Sequence, residues 1–219
     1  MRDRYSVGVG LLFAAVIAVA LLNTLGSGDE GTLGLDEVEP RWALPEFAVP
    51  RAAGALEGDA NVAQDDCETS RAPCPESARR ASSCRIRTPG AIRVCDFFGR
   101  PLVLSFWFSR GGGTCVAQQD VVDRAYARYR GRVGFLSLNV RDDRDSVRET
   151  LRQRGWRMPV GYDRDGAVAG LYRVGICPTF AFAYPGGTLQ DASAGELTEA
   201  QLDARVEALL RATRAAEAG

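Results

Sequence analysis

The order of apolar strands and amphipathic helices predicts an α/β fold, a central mixed sheet flanked by helices. Three observations carry this. Apolar runs at 101–108 and 133–140 alternate with helix-patterned segments. The chain then closes on a hairpin, 179–184 and 188–191 around Pro185-Gly186-Gly187, whose strands run antiparallel and make the sheet mixed. Cys115 stands just past the first of these strands, behind Gly111-Gly112-Gly113-Thr114. In open α/β sheets function gathers at the C-terminal ends of strands.

Each element has its own signal. Pro45-Glu46-Phe47-Ala48-Val49-Pro50 reads as a leading strand inside a Gly/Glu/Pro-rich stretch. Cys115 to Arg130 carries the apolar stripe Val121, Val122, Ala125, Tyr126, Tyr129 and stops at Gly131. Ser146 with Glu149 predicts a capping box for a helix through Arg154, stopped by Gly155. A short strand at 160–162 and a short helix at 167–172 follow. Thr198 with Gln201 opens the last helix, with Leu202, Val206, Leu209 and Leu210 on one face.

Composition removes whole classes of chemistry. The 219 residues contain no His, which excludes Ser-His and Cys-His catalysis and His-based metal sites. No Lys occurs either, so all 27 basic residues are Arg, and Schiff-base chemistry and a Walker lysine are absent. Net charge is −1 with signs interspersed, so no nucleic acid is expected as a partner. No cofactor and no metal are expected. Asp163-Arg164-Asp165-Gly166 lacks the remaining ligands of an EF-hand calcium loop and reads as a turn.

The N-terminus points outside the cytoplasm. Arg2 and Arg4 precede the apolar run Val7 to Leu25. As a helix it rises about 28 Å, enough to span a bilayer core. The preceding positive charge keeps the N-terminus inside. The expectation is a single-pass membrane anchor with the C-terminal part extracytoplasmic; the alternative is a cleaved signal peptide.

Six cysteines suit that compartment. The segment Cys84 to Cys95 is symmetric about Pro89-Gly90, so a turn there sets Cys84 opposite Cys95 in a β-hairpin. Cys67 then pairs with Cys74 as a second structural disulfide. A zinc site is disfavoured, because the spacings lack the close cysteine pairs of zinc ribbons. The two remaining cysteines, Cys115 and Cys177, carry the chemistry. Unpaired N–H groups and the dipole at a helix start favour thiolate at Cys115.

Order and residues together resemble the thioredoxin-like superfamily. The nearest subgroup is the membrane-anchored extracytoplasmic thiol–disulfide oxidoreductases similar to those of cytochrome c maturation. The resemblance covers roughly residues 45–50 and 95–214 and rests on three stretches. These are Gly99-Arg100-Pro101 through Trp107, Tyr162-Asp163-Arg164-Asp165-Gly166, and Tyr172-Arg173-Val174-Gly175-Ile176-Cys177-Pro178-Thr179-Phe180. It implies a cis-proline at Pro178, and a substrate groove with Pro178, Trp107 and Gly112. The chain departs where the family has Cys-x-x-Cys. Cys115 takes the second cysteine position, and Gly112 stands where the attacking cysteine is expected. Cys177, the residue before the cis-proline, is the replacement, giving a two-loop pair with Cys115 as nucleophile and Cys177 as resolving thiol. A static staple and two unpaired thiols are the competing readings.

The expected organisation is therefore an anchor at 1–25, a linker at 26–58, a Cys-rich extension with a hairpin at 59–95 and a thioredoxin-like domain at 96–215. The expected function is thiol–disulfide exchange with protein thiols or disulfides outside the cytoplasm, through Cys115 and Cys177. A non-catalytic binding module and a peroxiredoxin-like peroxide reductase using Cys115 remain as alternatives. The peroxiredoxin signature Pro-x-x-x-Thr-x-x-Cys is absent, since Thr114 directly precedes Cys115.

Overall fold

The computed structural model of the chain describes residues 42–57, 82–85, 87–111 and 113–218, all within one compact unit, Leu33–Gly219. The expected anchor at 1–25, Cys67, Cys74 and Gly112 lie outside the described residues. Among the described residues no helix is long and apolar enough to cross a membrane.

A five-stranded mixed sheet forms the centre, in the order β5-β4-β3-β6-β7. β3 (Leu102–Trp107) runs parallel to β4 (Gly134–Val140), with Leu102 opposite Gly134, and β4 runs parallel to β5 (Val160–Asp163). On its other side β3 pairs antiparallel with β6 (Thr179–Ala183), with Phe106 opposite Thr179, and β6 pairs antiparallel with β7 (Leu189–Ala194). Every residue of β3 is buried, as befits a strand covered on both faces.

The pleat sorts these side chains between two apolar layers. Val103 and Trp107 enter one layer, with Val122 and Ala125 of α1 (Gly113–Tyr129) and Leu202 and Val206 of α4 (Glu199–Ala218). Leu102, Leu104 and Phe106 enter the other, with Phe47, Val168 and Tyr172. α2 (Arg144–Arg154) and the short α3 (Ala167–Leu171) complete the fold.

The leading strand is real but short: β1 is Ala48–Pro50, and it pairs antiparallel with β2, Ala91–Arg93. The expected hairpin between the strands at Cys84 and Cys95 does not form. The turn is present, with the Ala91 amide donating to Thr88 O at 3.1 Å and Gly90 at φ 85°. However, β2 uses its ladder on β1, and Ser83–Arg85 coils into a 3-10 turn. Glu46 holds that turn, accepting from the Ser82 hydroxyl and from the Cys84 amide at 3.3 Å.

The expected capping box on α2 is also displaced. Asp143 is the N-cap, accepting from the Ser146 amide at 2.9 Å, while Glu149 bonds Arg152 and Gln153. Asp outcompetes a position three residues later because its carboxylate already reaches the orphan N–H groups. That hydrogen bond holds the Asp143 carboxyl below its ordinary range. Gly155 ends the helix at φ 64°. On α4 the reciprocal box forms: Thr198 N donates to Gln201 Oε1 at 2.8 Å and Gln201 N to Thr198 Oγ1 at 3.2 Å.

Candidate functional site: a disulfide between two loops

β3 delivers the chain into a 3-10 turn, Ser109–Gly111, and α1 begins at Gly113. Cys115 therefore lies in the first turn of α1, where amide N–H groups have no helical partner and the dipole favours an anion. Cys177 lies in the loop entering β6, and the Cys177–Pro178 peptide bond is cis. The two cysteines are joined by a disulfide with their Cα atoms 5.8 Å apart, within the usual span.

The two sulfur-bearing residues differ in access. Cys115 is 2% exposed, whereas Cys177 is only partly buried. Beside Cys177, Ile176 is 52% exposed, an open large apolar side chain among the described residues. Pro178 is buried. These exposures run against Cys115 as the thiol that meets a partner.

Beneath Cys115 lies a neutral polar group. Gln119, one helical turn on and on the same face, accepts at Oε1 from the hydroxyls of Ser105 (3.0 Å) and Ser137 (2.8 Å). All three are fully buried. Asp142 ties down the segment ahead of Cys115. Its Oδ2 accepts from the Ser109 amide at 2.6 Å and from Asn139 Nδ2 at 2.7 Å, and Arg110 approaches its other oxygen at 4.0 Å.

Trp107, expected in the substrate groove, is fully buried instead. It sits on the inner face of β3, edge-on to Trp156 with ring centroids 5.4 Å apart. Its ring is covered within that single apolar layer and presents no surface to solvent. Cys84 and Cys95 form a second disulfide, with Cα atoms 5.7 Å apart. The turn at Asp163 is a capping device: the carboxylate accepts from the amides of Val168 (3.3 Å) and Ala169 (2.8 Å) at the start of α3. Burial outweighs those bonds and pushes the Asp163 carboxyl above its ordinary value.

Sequence reasoning missed Asp142, Gln119 and Ile176. Asp142 was signalled by an Asn and an Asp placed just where β4 ends, the functional edge of such sheets. Gln119 was signalled by its spacing of one turn from Cys115.

No family model matches the chain. A curated relative, the thiol-disulfide oxidoreductase ResA of Oceanobacillus iheyensis, is 26% identical over 113 residues, covering 51% of this chain and 58% of the relative. ResA of Geobacillus kaustophilus is 25% identical over 122 residues, 53% of this chain and 67% of that protein. The chain thus covers less than two thirds of the length of the first of these relatives. Among solved structures, a putative thiol:disulfide interchange protein DsbE from Chlorobium tepidum superposes with a TM-score of 0.58 at 18% identity, covering 80% of this chain and 99% of that one. MTB DsbF, in mixed oxidised and reduced forms, superposes with a TM-score of 0.50 at 27% identity, covering 54% and 87%. The chain has the thioredoxin-like fold and, over about half its length, is similar in sequence to thiol–disulfide oxidoreductases named ResA.

Proposed function

We propose that the chain is an extracytoplasmic thiol–disulfide oxidoreductase whose exchanging pair is Cys115 and Cys177. The observation that carries this is the disulfide joining a helix start to the loop before β6, with one residue shielded and the other partly exposed. Its curated relatives are named for the same chemistry. The Arg-flanked apolar run at Val7 to Leu25 supports a membrane anchor with the folded part outside.

The unequal access sets the order of events. A partner thiolate attacks the Cys177 sulfur, forming the mixed disulfide as the Cys115 sulfur leaves with the bonding electron pair. The start of α1 stabilises that thiolate. A second partner thiolate then attacks the partner sulfur of the mixed disulfide. Cys177 leaves, and the partner is oxidised by two electrons as the chain becomes a dithiol. In reverse, Cys177 attacks a partner disulfide and Cys115 resolves it, and the relative potentials of the two couples set the direction. Ile176 supplies an apolar contact beside the reacting sulfur, and the Cys177 backbone just ahead of Pro178 offers an edge for a substrate peptide.

The test is mixed-disulfide trapping on the full chain with a disulfide-bonded protein substrate. Cys115→Ser traps the partner on Cys177, and Cys177→Ser abolishes exchange. Trapping on Cys115 alone would restore Cys115 as the attacking thiol. Wild-type behaviour of both variants towards disulfides would leave a non-catalytic binding module.

A further inference from the structure

A cavity of about 590 Å³ opens between the turn after β1, the C-terminal half of α2 and the connector into β5. Four arginines line it, Arg51, Arg148, Arg152 and Arg157, and no carboxylate does. Leu151, Trp156 and Met158 supply an apolar wall. It sits by the N-terminal end of β5, whereas Cys115 follows the C-terminal end of β3, which runs in the same direction. It is therefore a site separate from the disulfide.

Its walls are held in place. The Ala52 amide donates to Val160 O at 2.9 Å, fixing the turn to β5. From α2, Arg144 donates to Arg51 O (3.1 Å) and Gly54 O (3.2 Å), and Arg148 donates to Gly54 O (3.0 Å). Trp156 is fixed by its Nε1 donating to Asp120 at 2.7 Å. Preformed, mostly apolar pockets of about 300–1,000 Å³ with a few placed polar groups are the usual form of small-molecule sites.

Charge selects the ligand. Glu57 and Asp145 hold Arg148, Glu149 holds Arg152, and Asp123 lies 3.8 Å from Arg157, all from outside the lining. Arg51 has no ion pair among the described residues. A guanidinium fork matches a carboxylate in two parallel hydrogen bonds. The apolar wall excludes a simple inorganic anion as the best fit, since it would leave Leu151, Trp156 and Met158 uncovered. We propose that this cavity binds an amphipathic organic anion, an apolar or aromatic body carrying at least one carboxylate.

The test uses 1-pyrenebutyrate with the full chain, and uncharged 1-pyrenebutanol as the comparison. Saturable binding at one site is expected, weaker for the alcohol by about tenfold or more, the scale of one charge-assisted hydrogen bond. The Arg51→Ala/Arg152→Ala double variant is expected to weaken pyrenebutyrate by a similar factor. The Arg152 side chain is 72% exposed at the cavity mouth, its one ion pair among the described residues is with exposed Glu149, and only the backbone of Arg51 holds structure, so thermal unfolding should not change. Equal affinity for acid and alcohol, indifference to the double variant, or no saturable binding would each overturn the assignment. The redox reading is untouched by any of these results, because no cysteine lines the cavity.

Discussion

Glu46 accepts a hydrogen bond from the Cys84 amide at 3.3 Å, and its carboxylate oxygen lies within 4.8 Å of both Cys84 and Cys95 sulfurs. The two disulfides therefore have opposite surroundings. One has a helix start beside it; the other has a carboxylate at its sulfurs, with the Arg87 and Arg93 guanidiniums donating to the Cys84 backbone carbonyl. A nearby negative charge opposes the thiolate that must leave when a disulfide is reduced. Cys84–Cys95 is expected to be reduced by dithiothreitol more slowly than Cys115–Cys177, read by timed alkylation and peptide mapping. Glu46→Gln should speed reduction of Cys84–Cys95 by about fivefold or more, from a Coulomb cost of about 1 kcal/mol even at water-like dielectric. Equal rates in the variant and the parent would remove the carboxylate's role.

Tyr172 pins the segment just ahead of β1. Its hydroxyl donates to Pro45 O at 2.7 Å, and its ring meets Trp42 and Phe47 edge-on. Tyr172→Phe leaves that carbonyl unpaired and is expected to cost about 1–2 kcal/mol. The measurement is the urea midpoint, with the slope unchanged.

Two glycines should respond oppositely to alanine. At Gly161 a Cβ would sit 2.7 Å from Leu138 Cδ2 and 2.7 Å from Val49 Cγ2. Gly161→Ala is expected to destabilise by about 1–3 kcal/mol through overpacking. At Gly170, inside α3, a Cβ would meet nothing within 4 Å. Gly170→Ala is expected to stabilise by about 0.5–1 kcal/mol. The paired melting temperatures check both signs.

Asp163 gives stability an unusual acid profile. Burial raises its pKa above the ordinary 3.8, so the folded chain binds that proton more tightly than the unfolded chain. Its contribution is therefore favourable at low pH and declines as pH rises from 3.8 through the folded pKa. Asp143 and Glu57 have the opposite sign: their pKa values are lowered, so their contribution is lost as pH falls. Relative to Asp163→Asn, the wild type should lose stability as pH rises through that window. A difference in melting temperature that stays flat from pH 3 to 7 would refute this.

Much of the fold was legible because its strands are covered on both faces and its helices carry stripes. β3 and β4 read as unbroken apolar runs, and the periodicity of α1 and α4 predicted the faces they bury. What failed was local competition. Symmetry about Pro89-Gly90 marked the turn, but the partner of β2 lay more than forty residues upstream, at Val49 opposite Ile92. Residue types named the cysteine pair, yet which one is open to solvent depends on how deeply α1 sits on the sheet. No spacing in the sequence carries that depth. Trp107 illustrates the same limit, since alternation along β3 gives its face but not whether that face is covered.

The hydrogen bond from Tyr172 to Pro45 spans 127 positions of chain. During synthesis β2 and β5 emerge in time to cover Val49, but Phe47 lacks the Tyr172 ring until the stretch leading to β6 has been made. Contacts of such long range close late and slow folding. Phe47 is thus seated later than the strand it leads into. A chain arrested before Tyr172 would present Phe47 as a sticky surface, the feature by which holding chaperones recognise unfinished chains.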